Sequence, residues 1–147
     1  MVTVRLAAFD ADNAAIRRIR FAVFVDEQHV PEDLEIDDRD CECVHVLAFD
    51  GDAAVGTARI DLHKDGKIGR LAVAAECRRR GIGTALMERL HAIAQAHGLT
   101  HVWCHAQLAA LPFYERLGYR ASGEIFDEAD IPHLRMDRDL SGTASGA

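Results

Sequence analysis

Three arginines and two glycines stand together in the middle of the chain, and their order suits the binding of an anion. Arg78, Arg79 and Arg80 directly precede Gly81 and Gly83. Glycine lets the backbone approach a ligand closely and adopt positive φ. The amides that open a following helix have no intrahelical partner and lie at the positive end of the helix dipole. Guanidinium groups add charges whose geometry matches phosphate oxygens. We therefore predict that this loop binds a diphosphate.

The glycine spacing distinguishes this loop from two familiar nucleotide-binding loops. A Walker loop requires G-x-x-x-x-G-K-S/T, and a dinucleotide fingerprint requires G-x-G-x-x-G with an acidic residue about twenty positions later. The chain instead has R-x-x-G-x-G after the strand end L-A-V. Taken alone, the pattern also fits a strand-to-helix turn with solvated arginines.

The first half of the chain is predicted to form a strand, a helix and a three-stranded meander. Thr3 to Phe9 alternates as a strand does, and Asp10 to Asn13 supplies residues that cap helices. The next apolar residues recur at helical spacing and the helix ends before Pro31. Asp50-Gly51-Asp52 and Asp65-Gly66 are hairpin turns. They connect the predicted strands Val44 to Phe49, Ala54 to Leu62 and Lys67 to Val73.

The second half is predicted to create a cleft beside the arginine loop. A long helix runs to about His97, where Gly98 ends it, and Thr100 to His105 forms the next strand. Because a helix connects this strand to Lys67 to Val73, the two strands should run parallel. If they diverge, a cleft opens at their carboxyl ends. A short helix, Leu108 to Leu117, and two closing strands, Tyr119 to Ile125 and His133 to Asp137, complete the chain.

Length and charge limit the classes of function. The chain has 147 residues, of which 49% are hydrophobic, and a formal net charge of -7. We expect one domain over residues 1–140 and a flexible tail over 141–147. The acidic charge argues against nucleic acid and anionic membranes as partners. No secretory signal is evident, and the four cysteines do not form a disulfide framework, so we expect a cytoplasmic protein with free thiols.

A second motif lies downstream of the arginine loop. The segment Gln107 to Tyr119 reads Q-L-A-A-L-P-F-Y-E-R-L-G-Y. Together with R-R-R-G-I-G-T, it resembles the two signatures of the GNAT superfamily of N-acetyltransferases. The stretches F-V-D-E-Q-H-V-P, E-I-D-D-R-D, I-G-R-L-A-V and I-P-H extend the resemblance to the ElaA/YjcF-like subgroup of acyltransferases. This likeness covers nearly the whole chain to Leu140.

The resemblance implies a fold and a cosubstrate. The GNAT fold is a mixed α/β structure, with about seven strands flanked by about four helices and with coenzyme A bound between splayed fourth and fifth strands. Acetyl-coenzyme A would then be the cosubstrate. The residues expected to bind it are Leu71, Ala72 and Val73 through backbone groups, Arg78, Arg79, Arg80, Gly81, Ile82, Gly83 and Thr84 at the pyrophosphate, and Gln107, where the family commonly has Asn.

The resemblance also implies direct acyl transfer to a primary amine of a small molecule or peptide. Tyr114 matches the tyrosine that protonates, or donates a hydrogen bond to, the departing thiolate. Many relatives carry a glutamate base where this chain has Arg70, and an arginine cannot accept a proton. The general base stays open among Glu27, Glu35, Asp37, His105 and His133.

The acceptor side of the predicted site is open to two interpretations. The acidic stretch V-P-E-D-L-E-I-D-D-R-D suits either a solvated segment or the recognition of a cationic amine. We assign Glu27, Asp37 and Arg70 to acceptor binding and Glu35, His105 and His133 to catalysis beside Tyr114. Arg70 suits either an acidic group of the acceptor or a pair with one of the carboxylates.

Other functions remain open at this point. Cys41, Cys43 and His45 with Cys104 and His105 have poor spacing for a zinc site, so we expect no metal. Cys104 as an acyl-enzyme nucleophile is a minor alternative. A coenzyme A-binding protein without catalysis and an acyl-homoserine-lactone-synthase-like acyltransferase are the other two. The resemblance is compatible with a homodimer.

Overall fold

The computed structural model describes residues 1–35 and 37–141, which form one seven-stranded mixed sheet with helices on both faces. The strands are β1 (Val2–Ala7), β2 (Val44–Asp50), β3 (Ala53–Asp61), β4 (Lys67–Val73), β5 (His101–Gln107), β6 (Arg120–Glu128) and β7 (Ile131–Asp139). The helices are α1 (Phe9–Arg20), α2 (Glu32–Glu35), α3 (Ile82–Ala96) and α4 (Leu111–Arg116). The order across the sheet is β1-β2-β3-β4-β5-β7-β6. The predicted mixed α/β fold is confirmed.

The parallel pair β4 and β5 separates after two residues, as the cleft prediction requires. Lys67 pairs with Trp103 and Ile68 pairs with Cys104. Beyond this point β5 continues its antiparallel pairing with β7 as far as Gln107. Because β4 turns away while β5 stays with β7, a gap opens between the two central strands.

The core lies on both faces of the sheet. On one face, α3 buries a stripe at helical spacing that includes Ile82, Leu86 and Leu90, each at most 1% exposed. On the other face, Ile16 and Ile19 of α1 pack near Leu47 and Ala72. This second cluster fixes α1 against β2 and β4, the second of which flanks the gap. Gly98 follows α3 with φ of 80°, in agreement with the predicted helix end.

The structure differs from the sequence-based boundaries at the start of α1. The helix begins at Phe9, so the predicted capping residues Asp10 to Asn13 lie inside it. Asp12 still acts near the helix start, because its carboxylate accepts from the Ala8 amide at 2.9 Å. At the other end α1 continues directly into a seven-residue π-helical segment, Phe21–Glu27. Such segments occur often at functional sites.

The last two strands are longer than predicted and form one continuous hairpin. β6 ends at Glu128 and β7 begins at Ile131, so Ala129 and Asp130 form a two-residue turn in which both have positive φ. The predicted tail lies outside the described residues from 142 onward. No helix in the described ranges is both long and apolar enough to cross a membrane.

Candidate active site

A cavity of about 570 Å³ occupies the gap between β4 and β5. Its wall includes the π-helical segment, the acidic segment 32–40, the ends of β3 to β5, α4 and the β6–β7 turn. These elements are far apart in sequence. The splaying of β4 from β5 therefore creates a space that no single stretch of the chain encloses.

A bulge in β4 shapes the wall of this cavity. Arg59 of β3 pairs with Gly69 and Thr57 pairs with Ala72, so Arg70 and Leu71 together stand opposite the single residue Ala58 and β4 has one extra residue. Arg70 has φ of 52°, a conformation that costs energy for a residue with a side chain. Gly69, Arg70 and Leu71 of this bulged stretch all line the cavity. This is where the predicted pantetheine-binding residues lie.

The arginine loop ends in a helix start of the kind that binds anions. Gly81 precedes α3 with φ of 78°, and the first helical hydrogen bond is donated by the Ala85 amide to Gly81 O at 3.0 Å. The amides of Ile82, Gly83 and Thr84 consequently have no acceptor within the helix. A Cβ on Gly83 would meet the Phe113 ring at 3.3 Å, so this glycine also allows α4 to pack closely.

Two of the three loop arginines are paired with carboxylates. Arg78 donates two hydrogen bonds to Glu27, at 2.9 and 2.7 Å, and a third to Val73 O at 3.0 Å. Arg80 pairs with Asp50 at 3.0 Å. Arg79 is exposed and has φ of 66°. The charges are thus at the predicted loop, but phosphate binding would have to compete with two existing ion pairs.

These contacts also place Glu27 beside the arginine loop and away from the predicted acceptor side. The sequence analysis assigned it to the acceptor, yet its carboxylate is held by Arg78 at the mouth of the diphosphate loop and it does not line the cavity. The physical reason is the π-helical segment, which ends at Glu27 and directs this residue toward the loop. The acceptor-binding assignment of Glu27 is therefore not supported by the geometry.

Gln107 and Tyr114 both line the cavity, at the end of β5 and in α4. Gln107 donates from Nε2 to Gln28 Oε1 at 2.8 Å, and both residues line the cavity. Tyr114 is 8% exposed and its ring contacts those of Phe113 and Tyr119 edge to face. Burial raises the pKa of the Tyr114 phenol well above its usual value. Tyr114 is accordingly a neutral hydrogen-bond donor.

The acidic segment 32–40 is held in place by arginines from three other elements. Arg20 of α1 forms ion pairs with Glu35 and with Asp40, the latter at 2.7 Å, and all three side chains are at most 2% exposed. Arg59 of β3 bonds Asp40 at 2.7 Å and Asp37 at 2.8 and 2.9 Å. The cations that balance this acidic stretch are therefore part of the protein, and no amine is needed to offset the repulsion.

This network decides the placement of three predicted site residues. Glu35 is buried in its pair with Arg20, an arrangement that suits a structural ion pair and does not favour its assignment as a base. Arg70 donates to Glu35 O at 3.0 Å and to Asp37 at 3.3 Å. Burial opposes ionisation of Asp37, but Arg59 and Arg70 outweigh it and lower its pKa to about 2. Asp37 and Arg70 thus bind each other at the cavity wall.

The two predicted histidines converge on a glutamate that the sequence analysis missed. His105 Nδ1 lies 3.0 Å from Glu128 Oε1, and His133 Nε2 lies 3.7 Å from Glu128 Oε2. All three residues line the cavity. A carboxylate only accepts, so His105 donates from Nδ1 and its Nε2 keeps a lone pair when the ring is neutral. His133 donates from Nδ1 to Ile131 O at 2.6 Å.

Glu128 escaped detection because the sequence gives a weak signal for its turn. The hairpin turn is Ala129-Asp130, without the glycine that marks most two-residue turns. The predicted strands stopped at Ile125 and resumed at His133, which left Glu128 in an unassigned loop. Gln28 was missed for a similar reason, because its contact with Gln107 joins residues 79 positions apart.

The cysteines and the rival zinc ligands do not form a site in the described ranges. Cys104 is buried, and burial raises the pKa of its thiol to about 12. His45 Nε2 lies 2.8 Å from Asp40 O. Within residues 1–35 and 37–141 no group of three or more His, Cys, Asp and Glu residues has an arrangement suited to a metal ion.

Known proteins share both the sequence and this architecture. The family model described as an acetyltransferase (GNAT) domain matches residues 8–140. An N-acetyltransferase named YjcF from Bacillus subtilis is 40% identical over 124 residues, which cover 82% of this chain and 88% of that protein.

Two solved structures extend the comparison to the fold. The structure of an N-acetyltransferase from Lactobacillus plantarum superposes with a TM-score of 0.86 at 30% identity and covers 95% of this chain and 98% of the other. That of Escherichia coli ElaA gives 0.84 at 29% identity and covers 95% and 100%. The splayed strands, the R-x-x-G-x-G loop before α3 and these matches together place the chain in the GNAT acetyltransferase family, close to its ElaA/YjcF-like subgroup.

Proposed function

We propose that the protein transfers an acetyl group from acetyl-coenzyme A directly to a primary amine of a small-molecule or peptide acceptor. The observation that carries this proposal is that β4, which lines the cavity, leads through the arginine loop to the start of α3, whose first amides have no acceptor within the helix. Acyl-coenzyme A-dependent acyl transfer is what the family performs. The acetyl group and the amine are the finer parts of the proposal.

The coenzyme A end of the site is assembled mostly from backbone groups. The amides of Ile82, Gly83 and Thr84 face the pyrophosphate, and the extended backbone from Leu71 to Val73, including Ala72, holds the pantetheine arm. Arg79 supplies a charge without breaking an ion pair to any described residue. Arg78 and Arg80 reach phosphate oxygens by exchanging Glu27 and Asp50 for them. Gln107 bonds an amide of the arm in addition to Gln28.

The chemistry requires a base near the acceptor amine. An alkylammonium must lose one proton before its nitrogen attacks the thioester carbonyl carbon and the carbon–sulfur bond breaks. We assign that proton to His105 Nε2, directly or through one water, because Glu128 holds the opposite ring nitrogen at 3.0 Å. His133 is the second candidate, since its Nε2 faces the same carboxylate.

Two groups stabilise the charges that develop during transfer. An amide at the β4 bulge near Leu71 donates to the oxyanion. Tyr114 donates a hydrogen bond to the departing thiolate. Because burial raises the phenol pKa and a free thiol has a pKa of about 8.5, complete proton transfer from Tyr114 is uphill. Hydrogen-bond donation accounts for the position of Tyr114 without such a transfer.

The test is an acetyl transfer assay with the full chain. Acetyl-coenzyme A is mixed with a panel of primary amines, thiol release is followed by a colorimetric reagent, and the acylated product is identified by mass spectrometry. We expect thiol release and N-acetylated product with at least one class of amine. Calorimetry in parallel measures acetyl-coenzyme A binding.

Each alternative gives a different result in this assay. Tight binding of acetyl-coenzyme A without release from any amine would support a coenzyme A-binding protein that does not catalyse transfer. In a parallel arm with long-chain acyl-coenzyme A donors, thiol release from these donors and not from acetyl-coenzyme A would support the acyl-homoserine-lactone-synthase-like alternative. An assembly state of two in light scattering would support the homodimer.

A further inference from the structure

Every acidic side chain in the cavity wall already bonds a basic residue. Arg39 binds Asp61 through two hydrogen bonds, at 2.8 and 3.0 Å. Glu35 and Asp37 are held by arginines as described above, and Glu128 accepts from His105. In the described part of this wall, three of the four carboxylates are therefore paired with an arginine, and the fourth, Glu128, is engaged by the proposed base.

The cations of the wall are not balanced in the same way. Of the 17 basic Lys and Arg residues, only Lys64 and Lys67 are lysines, and both line the cavity. Neither ammonium group lies within 4 Å of a carboxylate in the described residues, whereas the wall arginines Arg39, Arg59 and Arg70 all do. The two lysines therefore leave a surplus of positive charge on the acceptor side.

Lys67 is positioned for a ligand at the point where the strands part. It is half-buried, and its Nζ lies 5.3 Å from the centroid of the Trp103 ring, the residue it pairs with across β4 and β5. Burial lowers the pKa of Lys67, although the charge of Glu128 opposes the shift. A negatively charged ligand beside Lys67 would offset this cost of burial.

We infer that the acceptor carries a carboxylate beside its amine and that Lys67, assisted by Lys64, binds this carboxylate. The inference rests on the proposed function and narrows its substrate class to amino acids and related amino-carboxylates. His105 lies two residues beyond Trp103 on the same face of β5, about 7 Å along the strand. One compact molecule therefore reaches both the lysine with its carboxylate and the base with its amine.

A carboxylate fits this surplus better than a phosphate does. The guanidinium groups whose forked geometry matches phosphate oxygens are already bonded to Asp37, Asp40 and Asp61. Only two ammonium groups remain, and Lys64 is exposed to solvent. A carboxylate carries one negative charge, which the half-buried ammonium group of Lys67 can balance. The second negative charge of a phosphate would have only the solvent-exposed Lys64 to balance it.

The experiment compares amines that differ only in the anionic group. Three pairs are assayed with acetyl-coenzyme A: phenylalanine with phenethylamine, lysine with cadaverine, and O-phosphoethanolamine with ethanolamine. We expect kcat/KM about tenfold higher or more for the carboxylate member of the first two pairs. Lys67→Gln should abolish that preference by raising KM for the carboxylate member, whereas KM for the decarboxylated member should not rise. Lys67→Arg should retain the preference.

A matched control and a folding check complete the design. Arg89→Gln removes an exposed cation from α3, remote from the cavity, and should leave every ratio unchanged. Thermal unfolding of each variant shows whether it is folded. Lys64→Gln should reduce the preference for the carboxylate member less than Lys67→Gln does. Equal rates within each carboxylate pair, or an undiminished preference in Lys67→Gln, would overturn the inference and leave the proposed function standing.

Two further outcomes are informative. A preference confined to O-phosphoethanolamine over ethanolamine would overturn the carboxylate assignment in favour of a phosphate. Failure of every amine to release thiol, with acetyl-coenzyme A bound, would overturn the proposed function and the inference together.

Discussion

The two ends of the cavity are built on different principles. The coenzyme A end depends on backbone amides at the start of α3, a left-handed Gly81 and arginines that are exposed and singly paired. The acceptor end depends on a network in which buried Arg20 and half-buried Arg59 hold Glu35, Asp37 and Asp40. The residues of the coenzyme A end are adjacent in sequence, and their exposed ion pairs can be exchanged for contacts with a ligand. The acceptor end joins α1, the acidic segment and β3, which are far apart in sequence. Substitutions should therefore affect binding at one end and folding at the other.

The largest effect should follow removal of the buried cation at the acceptor end. Arg20→Met would leave Glu35 and Asp40 without their main partner in a site where Arg20 is 1% exposed. Breaking a buried pair in this way costs about 3–5 kcal/mol, so we expect the free energy of unfolding to fall by that amount. Urea denaturation measures it.

The neighbouring Arg17→Met provides the control for this loss. Arg17 is exposed in the last turn of α1, and we expect a change of at most about 0.5 kcal/mol. A loss below about 1 kcal/mol for Arg20→Met would show that the network contributes little to stability, and the contrast between the two ends would not hold.

The coenzyme A end should respond with lost binding and little loss of stability. Gly81→Asp places a carboxylate beside the predicted diphosphate, in space where a Cβ at Gly81 meets nothing within 4 Å. We expect the affinity for acetyl-coenzyme A to fall by about 100-fold, equivalent to ~2.8 kcal/mol. Calorimetry measures the affinity, and thermal unfolding shows that the fold persists.

Gly81→Asn separates the charge from the backbone strain. Both substitutions place a side chain at φ of 78°, which costs about 1 kcal/mol, but only Asp adds a negative charge. The Asn variant should keep most of its affinity. Equal affinities for the wild type and Gly81→Asp would place the pyrophosphate elsewhere.

The amount that could be predicted differs between the two ends for the same physical reason. Gly81, Gly83 and the arginines adjoin in sequence, so their spacing alone indicated an anion site before a helix. Glu35 and Asp37 were recognised as an acidic cluster, but their partner Arg20 lies 15 residues before Glu35 and Arg59 lies 22 residues after Asp37. Only the packing of α1 and β3 brings those charges together.

The order of strands and helices was predictable because hydrophobic spacing and turn residues mark it. The β4 bulge at Arg70 and the Ala129-Asp130 turn were not, because both place residues other than glycine at positive φ. Local preference disfavours these conformations, and tertiary contacts such as those from Arg70 to Glu35 O and Asp37 stabilise the first. The features that specify the acceptor end thus lie where local preference and tertiary structure disagree.

A smaller effect is expected at the catalytic pair between the two ends. Glu128→Gln keeps an oxygen that accepts from His105 Nδ1 but removes the negative charge that stabilises the protonated ring. We expect kcat/KM to fall about tenfold, ~1.4 kcal/mol, with the acidic limb of its pH profile displaced to lower pH. Steady-state assays across pH measure both. The control is Glu124→Gln, an exposed position on the same strand, which should change neither kcat/KM nor its pH profile. An unaltered pH profile of kcat/KM in Glu128→Gln would exclude His105 as the base held by this glutamate.

The smallest effect concerns the partly exposed carboxylate of the acceptor end, and its pH dependence identifies it. Burial opposes ionisation of Asp37, yet Arg59 and Arg70 lower its pKa to about 2 from an ordinary value of 3.8. A depressed folded-state pKa stabilises the protein above about pH 4 and ceases to do so as the pH falls through 2. Because the side chain is 30% exposed, solvent screening limits the contribution to about 1 kcal/mol.

Urea titrations should therefore show Asp37→Asn less stable than the wild type at pH 6 by that amount, with the difference shrinking between pH 4 and 2. Asp38→Asn changes the adjacent exposed carboxylate, and its free energy of unfolding relative to the wild type should not depend on pH in this range. If the stability lost in Asp37→Asn were the same at every pH, lost packing and not the arginine charges would make Asp37 stabilising.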